Sequence, residues 1–331
     1  MDTVTLGDSG PVVSRIGLGL AALGRPGYIN LGHAADLRGG RTVEAMERHA
    51  SEVLDLALAS GVRYLDAARS YGRAEEFLAR WLESRGVGPS DVTVGSKWGY
   101  VYTARWRVDA DRHEVKDHSL DNLRRQSRES RDLLGGHLDL YQIHSATLES
   151  GVLDDPEVLG ELARLKAEGL RIGLSLSGPR QAETLDKAMG VRVDGVRLFD
   201  AVQATWNLLE RSAGPALAEA RSIGLGVIVK EALANGRLTA RNDDPAFADA
   251  RLVLEGQADR LGTSIDALAL AAALAQPWAD VVLSGAASAE QLRSNLAATA
   301  VSWDEQADGA IAPLVEPPEA YWSTRSRLPW N

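Results

Sequence analysis

Residues 62–72 read VRYLDAARSYG: an apolar run, Val62–Leu65, ends on Asp66, and Tyr71 follows a short turn later, ahead of a segment with helical spacing. Polar residues at strand ends are often only turn chemistry. Here the surrounding chain decides, because the same unit of short aliphatic run followed by longer amphipathic segment recurs along nearly all of it. Strands are expected at Arg15–Leu20, Val62–Leu65, Val92–Ser96, Leu138–Ile143, Arg171–Ser175, Ala201–Thr205, Gly226–Val229 and Val281–Leu283. Helices are expected at Glu44–Ala59, Ala74–Ser84, Leu120–Leu134, Glu157–Ala167, Arg180–Ala188, Pro215–Arg221, Ile265–Ala275 and Ala289–Ala297. Strands alternating with helices in this way predict a parallel sheet, and eight such units predict an α/β fold of the (β/α)8 TIM barrel type, spanning residues 1–331 as one domain.

Local signals refine the outline. Thr263-x-x-Asp266 and Ser288-x-x-Gln291 read as capping boxes, and Pro156 and Pro179 suit first helical turns. Val4–Leu6 and Val12–Ser14 flank Gly-Asp-Ser-Gly-Pro, which predicts a β-hairpin cap over the N-terminal mouth of the barrel. An extra helix is expected at Ala246–Arg260. Three segments exceed simple connections: Arg25–Arg41, Trp98–His118 and the tail from Pro313 to Asn331. Long loops in a compact domain are commonly functional, and two of these follow strand C-termini, the end of a barrel where active sites are built. They gather Tyr28, Trp98, Tyr100, Tyr102 and Trp106, while the tail, a candidate cover for the site, adds Tyr321, Trp322 and Trp330.

A formal net charge of -10 argues against nucleic acid or an anionic membrane surface as partner. The chain has no cysteine, which removes disulfides, thiolate chemistry and cysteine metal sites. The start, MDTVTLGDSG, lacks the pattern of a signal peptide, and the longest apolar run, Ala267–Ala275, is too short to span a bilayer, so a cytoplasmic location is expected. No metal is expected either, since His144 has no His or carboxylate at ligand spacing.

Strand ends now carry the question of chemistry. Asp66 ends the second strand, Lys97 the third in VTVGSKWGY, and His144 the fourth in LDLYQIHSA. The chain has only five lysines, Lys97, Lys116, Lys166, Lys187 and Lys230, against a large excess of arginine, which makes a strand-end lysine conspicuous.

Over nearly its full length the sequence resembles the aldo-keto reductases. VRYLDAARSYG, VGSKWG and LDLYQIHS are similar to that family's Asp/Tyr, Lys and His strands, and GELARLKAEGLRIGLS, VQATWNLLE, LANGRLT and VVLSGAASAEQLRSNLAA follow in order. The resemblance implies an NAD(P)(H)-dependent oxidoreductase that moves hydride between nicotinamide and an aldehyde, ketone or sugar. Asp66, Tyr71, Lys97 and His144 would be catalytic, with Tyr71 the general acid/base, Lys97 lowering its pKa, Asp66 orienting Lys97 and His144 directing the substrate oxygen. Cofactor contacts are implied at Gly19, Ser175, Gln203, Lys230, Leu233, Ser284, Gly285, Gln291 and Asn295. At two of these the pattern changes: Ser175-Leu176-Ser177 stands where the family has Ser-Asn, and Lys230 where it has an aromatic that stacks on nicotinamide. Tyr28, Trp98, Trp106 and Trp206 are the aromatic candidates for the substrate side. NADP(H) is the cofactor the family implies first; a loop of Gly285, Ala286 and Ala287 without a basic residue leaves NAD(H) open. Two other readings stay open, an NAD-dependent aldose dehydrogenase working oxidatively and a nucleotide-binding sensor or regulatory subunit.

Overall fold

Eight parallel strands close into a barrel in the computed structural model, which describes residues 1–37 and 40–331. Arg38 and Gly39, in the long Arg25–Arg41 connection, lie outside the described residues. The strands are β1 (Ile16–Gly19), β2 (Tyr64–Asp66), β3 (Thr93–Trp98), β4 (Leu138–Ala146), β5 (Arg171–Leu176), β6 (Ala201–Thr205), β7 (Gly226–Lys230) and β8 (Val281–Ser284). Each pairs with its sequence neighbour, and β8 closes on β1. After them come α1 (Val43–Ala59), α2 (Ala74–Arg85), α3 (Leu120–Leu134), α4 (Pro156–Ala167), α5 (Gln181–Met189), α6 (Gly214–Ser222), α7 (Ile265–Leu274) and α8 (Ala289–Leu296). Every expected strand and helix is present, with ends moved by up to three residues.

The interior is filled by fitting large residues against small ones. A Cβ on Gly95 would run into the Tyr64 hydroxyl, one on Gly17 would meet Tyr64 Cδ1 at 2.9 Å, and one on Gly173 would meet Gln142 Cγ at 3.1 Å. These glycines are where the wide side chains of neighbouring strands find room. Below them, the hairpin of Thr3–Thr5 and Val12–Ser14 pushes Leu6 and Val13 into a cluster with Tyr64, Leu140, Ile228 and Leu283, closing the N-terminal mouth as expected.

Three cap assignments change. Ser288 caps α8 by accepting from Gln291 N at 3.2 Å, but Gln291 Oε1 accepts from Ala287 N at 2.8 Å and not from Ser288 N, so the box is not closed. The α7 N-cap is Ser264, which accepts from Ala267 N at 3.4 Å, because Thr263 is held by the preceding helix through Thr263 N to Ala258 O at 2.9 Å. Pro179 precedes the Arg180 N-cap of α5 and so stands outside the first turn, whereas Pro156 does open α4 behind its Asp155 cap. The extra helix runs over Ala248–Arg260, entered by a short 3-10 turn at Pro245–Phe247. The Trp98–His118 segment folds back as an antiparallel hairpin, Tyr100–Tyr102 with Glu114–Lys116. The tail forms a helix at Pro318–Ser326. Among the described residues no helix is long and apolar enough to cross a membrane.

Candidate active site

Strand register sets the site. Gly19 pairs with Asp66 and Asp66 with Gly95, and Lys97 follows on β3 with its side chain on the same inner face. Lys97 Nζ donates to Asp66 Oδ2, forming a fully buried ion pair, and to Ala67 O at 3.0 Å; Gln203 Nε2 donates to the other Asp66 oxygen at 2.9 Å. The carboxylate is thereby engaged on both oxygens. The β4–β5 register slips between Ile143 and Ala146, where Ser145 adopts φ +53°, and His144 stands inside that irregularity.

Tyr71 completes the group. Its ring lies 5.0 Å from Lys97 Nζ and edge-on to His144, with ring centroids 5.5 Å apart. Arg25 brings a second cation to within 5.2 Å of the same ring, held by Ser70 O at 3.0 Å and by Glu114 at 2.8 Å. Burial first, and then the Asp66 carboxylate, push the Tyr71 phenol well above its ordinary value, and Arg25 opposes them. The Lys97 ammonium, paired with Asp66, faces the Tyr71 ring from one side, and Arg25 is the further cation that draws the phenol down against burial. Burial, with Lys97, Lys230 and Arg25 adding to it, pushes His144 well below its ordinary value, so its imidazole is neutral. Its Nδ1 lies 3.4 Å from the Ser70 hydroxyl.

Asp66, Tyr71 and His144 open onto a cavity of about 630 Å³ that runs to the start of α8. Of the other expected residues, Gly19, Gln203, Lys230, Leu233, Gly285, Gln291, Asn295 and Tyr28 line it. Ser175 and Ser284 do not. Ser175 Oγ accepts from Ser145 N at 2.9 Å, bracing the β4 irregularity, and Ser284 Oγ accepts from Asn295 Nδ2 at 2.8 Å. Ser177 takes a place on the wall instead. The three tryptophans are also corrected, since none reaches the cavity. Trp98 alternates with Lys97 and so faces outward, against His118 at 5.6 Å. Trp106 packs on Phe77 at 6.2 Å and donates to Arg41 O at 2.6 Å, and Trp206 packs on Trp278 at 5.8 Å.

A model of the aldo/keto reductase family matches residues 15–314. The chain belongs to the aldo/keto reductase family. It is an oxidoreductase, and the family acts on carbonyl and alcohol groups of small molecules with a nicotinamide cofactor. It is 27% identical to the oxidoreductase YrpG of Bacillus subtilis (strain 168) over 97% of this chain and 99% of that one. It is 26% identical to the aldo-keto reductase YhdN of the same strain, over 89% of this chain and 87% of that one. In fold it is similar to the aldo-keto reductase AKR11C1 from Bacillus halodurans in its holo form, with TM-score 0.72 and 23% identity over 96% and 97% of the two chains.

The cavity fits the family's nucleotide. It runs from Tyr71 to the first turn of α8, an added Cβ on Gly285 would meet nothing within 4 Å, and the buried Asn235 presents at its wall an Oδ1 unpartnered among the described residues, an acceptor suited to a hydroxyl. Several wall residues carried no sequence signal. Arg25 and Glu114 come from two long loops, and Glu231, at φ +56°, faces the tail, where Arg325 grips it through Nε at 3.0 and 2.9 Å and through Nη2. From the tail, Arg325, Ser326, Leu328 and Trp330 line the cavity.

Proposed function

We propose that this aldo-keto reductase moves hydride between nicotinamide and a carbonyl or alcohol carbon, with Tyr71 as the acid/base, Lys97 and Asp66 as its buried support, and His144 orienting the substrate oxygen. The observation that carries the reading is the meeting of Tyr71 and His144 on the wall of one cavity, with the buried Lys97 ammonium 5.0 Å behind the Tyr71 ring, the three coming from successive strand ends. Bound nicotinamide supplies or accepts the hydride. The residues supply position and the proton. Tyr71, kept protonated by burial, gives its Oη proton to the substrate oxygen in reduction and recovers it in oxidation. His144 is neutral; with the Ser70 hydroxyl donating to Nδ1, its Nε2–H is left to hold the same oxygen.

Replacing Tyr71 with Phe removes the proton without emptying the space. Turnover of aldehydes and ketones should fall by about 10²–10⁴, while nucleotide affinity, followed by tryptophan fluorescence, should stay within about twofold because no anionic or hydrogen-bonding nucleotide group needs the phenol. Unchanged turnover in this variant would remove Tyr71 from the mechanism.

Nucleotide choice turns on the far end of the cavity. Asp266 and Glu290 stand on its wall in the first turns of α7 and α8, and Arg241 there is paired with the buried Asp36 at 2.6 Å. A 2′-phosphate would meet two carboxylates and an arginine already engaged, so this end favours NAD(H) over the NADP(H) that the family implies first. Titration should give NADH an affinity at or above that of NADPH. A tenfold preference for NADPH would count against this reading of the wall.

A further inference from the structure

Among the described residues, Lys230 is the cation of the reacting end whose nearest carboxylate, Glu231, is shared with another cation, Arg325. Lys97 is matched by Asp66, Arg25 by Glu114, and Arg325 by Glu231. The Glu231 carboxylate lies 3.8 Å from Lys230 Nζ, but Arg325 occupies both its oxygens and Thr205 Oγ1 donates to it at 3.2 Å. Among the described residues the Lys230 ammonium makes one hydrogen bond, to Thr205 Oγ1 at 3.1 Å, and leaves two donors unused. It sits on the wall of the same cavity as Tyr71 and His144, with 16% of its side chain exposed. The groups facing it are Glu231 and Arg325, Lys97 and Asp66 across the barrel, the neutral His144, and the Trp322 ring 5.9 Å away. The sum is one uncompensated positive charge in a water-poor pocket, which an anion would satisfy.

We propose that Lys230 receives an oxyanion carried by the substrate, so that the preferred substrates are carbonyl compounds bearing a carboxylate or comparable acid group. This rests on the proposed reductase reading and adds the substrate class to it. It also accounts for a lysine where the family places an aromatic ring: the position is turned from stacking to charge recognition. Burial first, then Arg325 and Lys97, lower Lys230 to about 8, with Glu231 acting the other way. Charge is therefore present below that value and lost as pH rises through it, and a bound anion would extend the charged range upward.

The test compares para-formylbenzoate with its uncharged methyl ester as substrates, and measures binding of benzoate itself by calorimetry with and without nucleotide. The native enzyme should favour the acid by roughly ten- to hundredfold in kcat/KM, with the advantage falling as pH rises through about 8. In Lys230→Met the acid-to-ester ratio should collapse and benzoate binding should disappear. In Lys230→Arg the ratio should persist and lose its pH dependence, because guanidinium stays charged. Equal handling of acid and ester by the native enzyme, or a ratio untouched in Lys230→Met, overturns the proposal. If Lys230→Met instead weakens NADH and NADPH binding about tenfold and leaves the ratio intact, the oxyanion is the nucleotide's and the substrate assignment is wrong. Failure to turn over either aldehyde, with benzoate still bound through Lys230, would sink the reductase reading and leave the anion site standing.

Discussion

Arg25 separates two kinds of side chain at this site. Asp66, Lys97 and His144 are legible in the sequence because strand periodicity fixes which residues reach a barrel's C-terminal end, and their types are rare there. Arg25 belongs to no strand. Its guanidinium is placed by Glu114 of a hairpin and by Trp330 of the tail, 4.7 Å away, and only the folded chain brings these together. Because Arg25 acts against burial and Asp66 on the Tyr71 phenol, Arg25→Met should raise that pKa further. Alcohol oxidation needs the phenolate, so its rate between about pH 8 and 10 should drop and its rising limb should move to higher pH. Arg25→Lys should return part of the limb. A profile identical to the native one would mean that Arg25 only packs.

At the scale of elements, the barrel interior and the tail obey different rules. Within the barrel, Gly95 on β3 exists to admit Tyr64 of β2, whose hydroxyl has no hydrogen-bond partner among the described residues. Gly95→Ala should cost about 1–3 kcal/mol in denaturant unfolding, and adding Tyr64→Phe should restore most of it by removing both the collision and the orphaned hydroxyl. If the double variant is no more stable than Gly95→Ala alone, the collision lies elsewhere. Such complementarity is invisible to pattern reading, which sees a glycine and a strand but not their partners. The tail is joined by charge: Arg325 to Glu231, Arg237 to Glu316, and Tyr321 Oη accepting from Asn207 at 2.9 Å. Loss of one member of a buried pair strands the other, at a cost on the order of 3 kcal/mol. Arg325→Met should therefore free the Pro318–Ser326 helix first, seen as faster amide exchange there than in β7, and uniform exchange across both would show that the pair holds the barrel as a whole. Sequence pattern marked the tail as long and aromatic; the anchoring pair joins residues too distant in the chain to read as neighbours.

Across the whole molecule, acid stability is set by histidines before carboxylates. His33 and His118 are each lowered to about 4, chiefly by burial, and His144 is lowered well below its ordinary value by the same cause. His33 is fully buried, with both ring nitrogens unpartnered among the described residues. In the unfolded chain each would titrate near 6.5. Between that value and about 4 the unfolded state thus binds more protons than the folded one, so stability is present above the unfolded pKa and is lost as pH falls below it. Each such histidine makes stability fall by about 1.4 kcal/mol per pH unit in that window, and the three together by about 4 kcal/mol per pH unit. Glu231, held at about 2 by Arg325 and Lys230 against its burial, adds its loss only further down, below the ordinary carboxylate range. Unfolding at about pH 5 should accordingly take up nearly three protons, measured as the slope of unfolding free energy against pH. His33→Phe should reduce that slope by about one third while leaving the unfolding free energy at pH 8 nearly unchanged. A slope that does not fall in His33→Phe would mean that this imidazole is charged in the folded protein, which its enclosure without a hydrogen-bond partner makes costly.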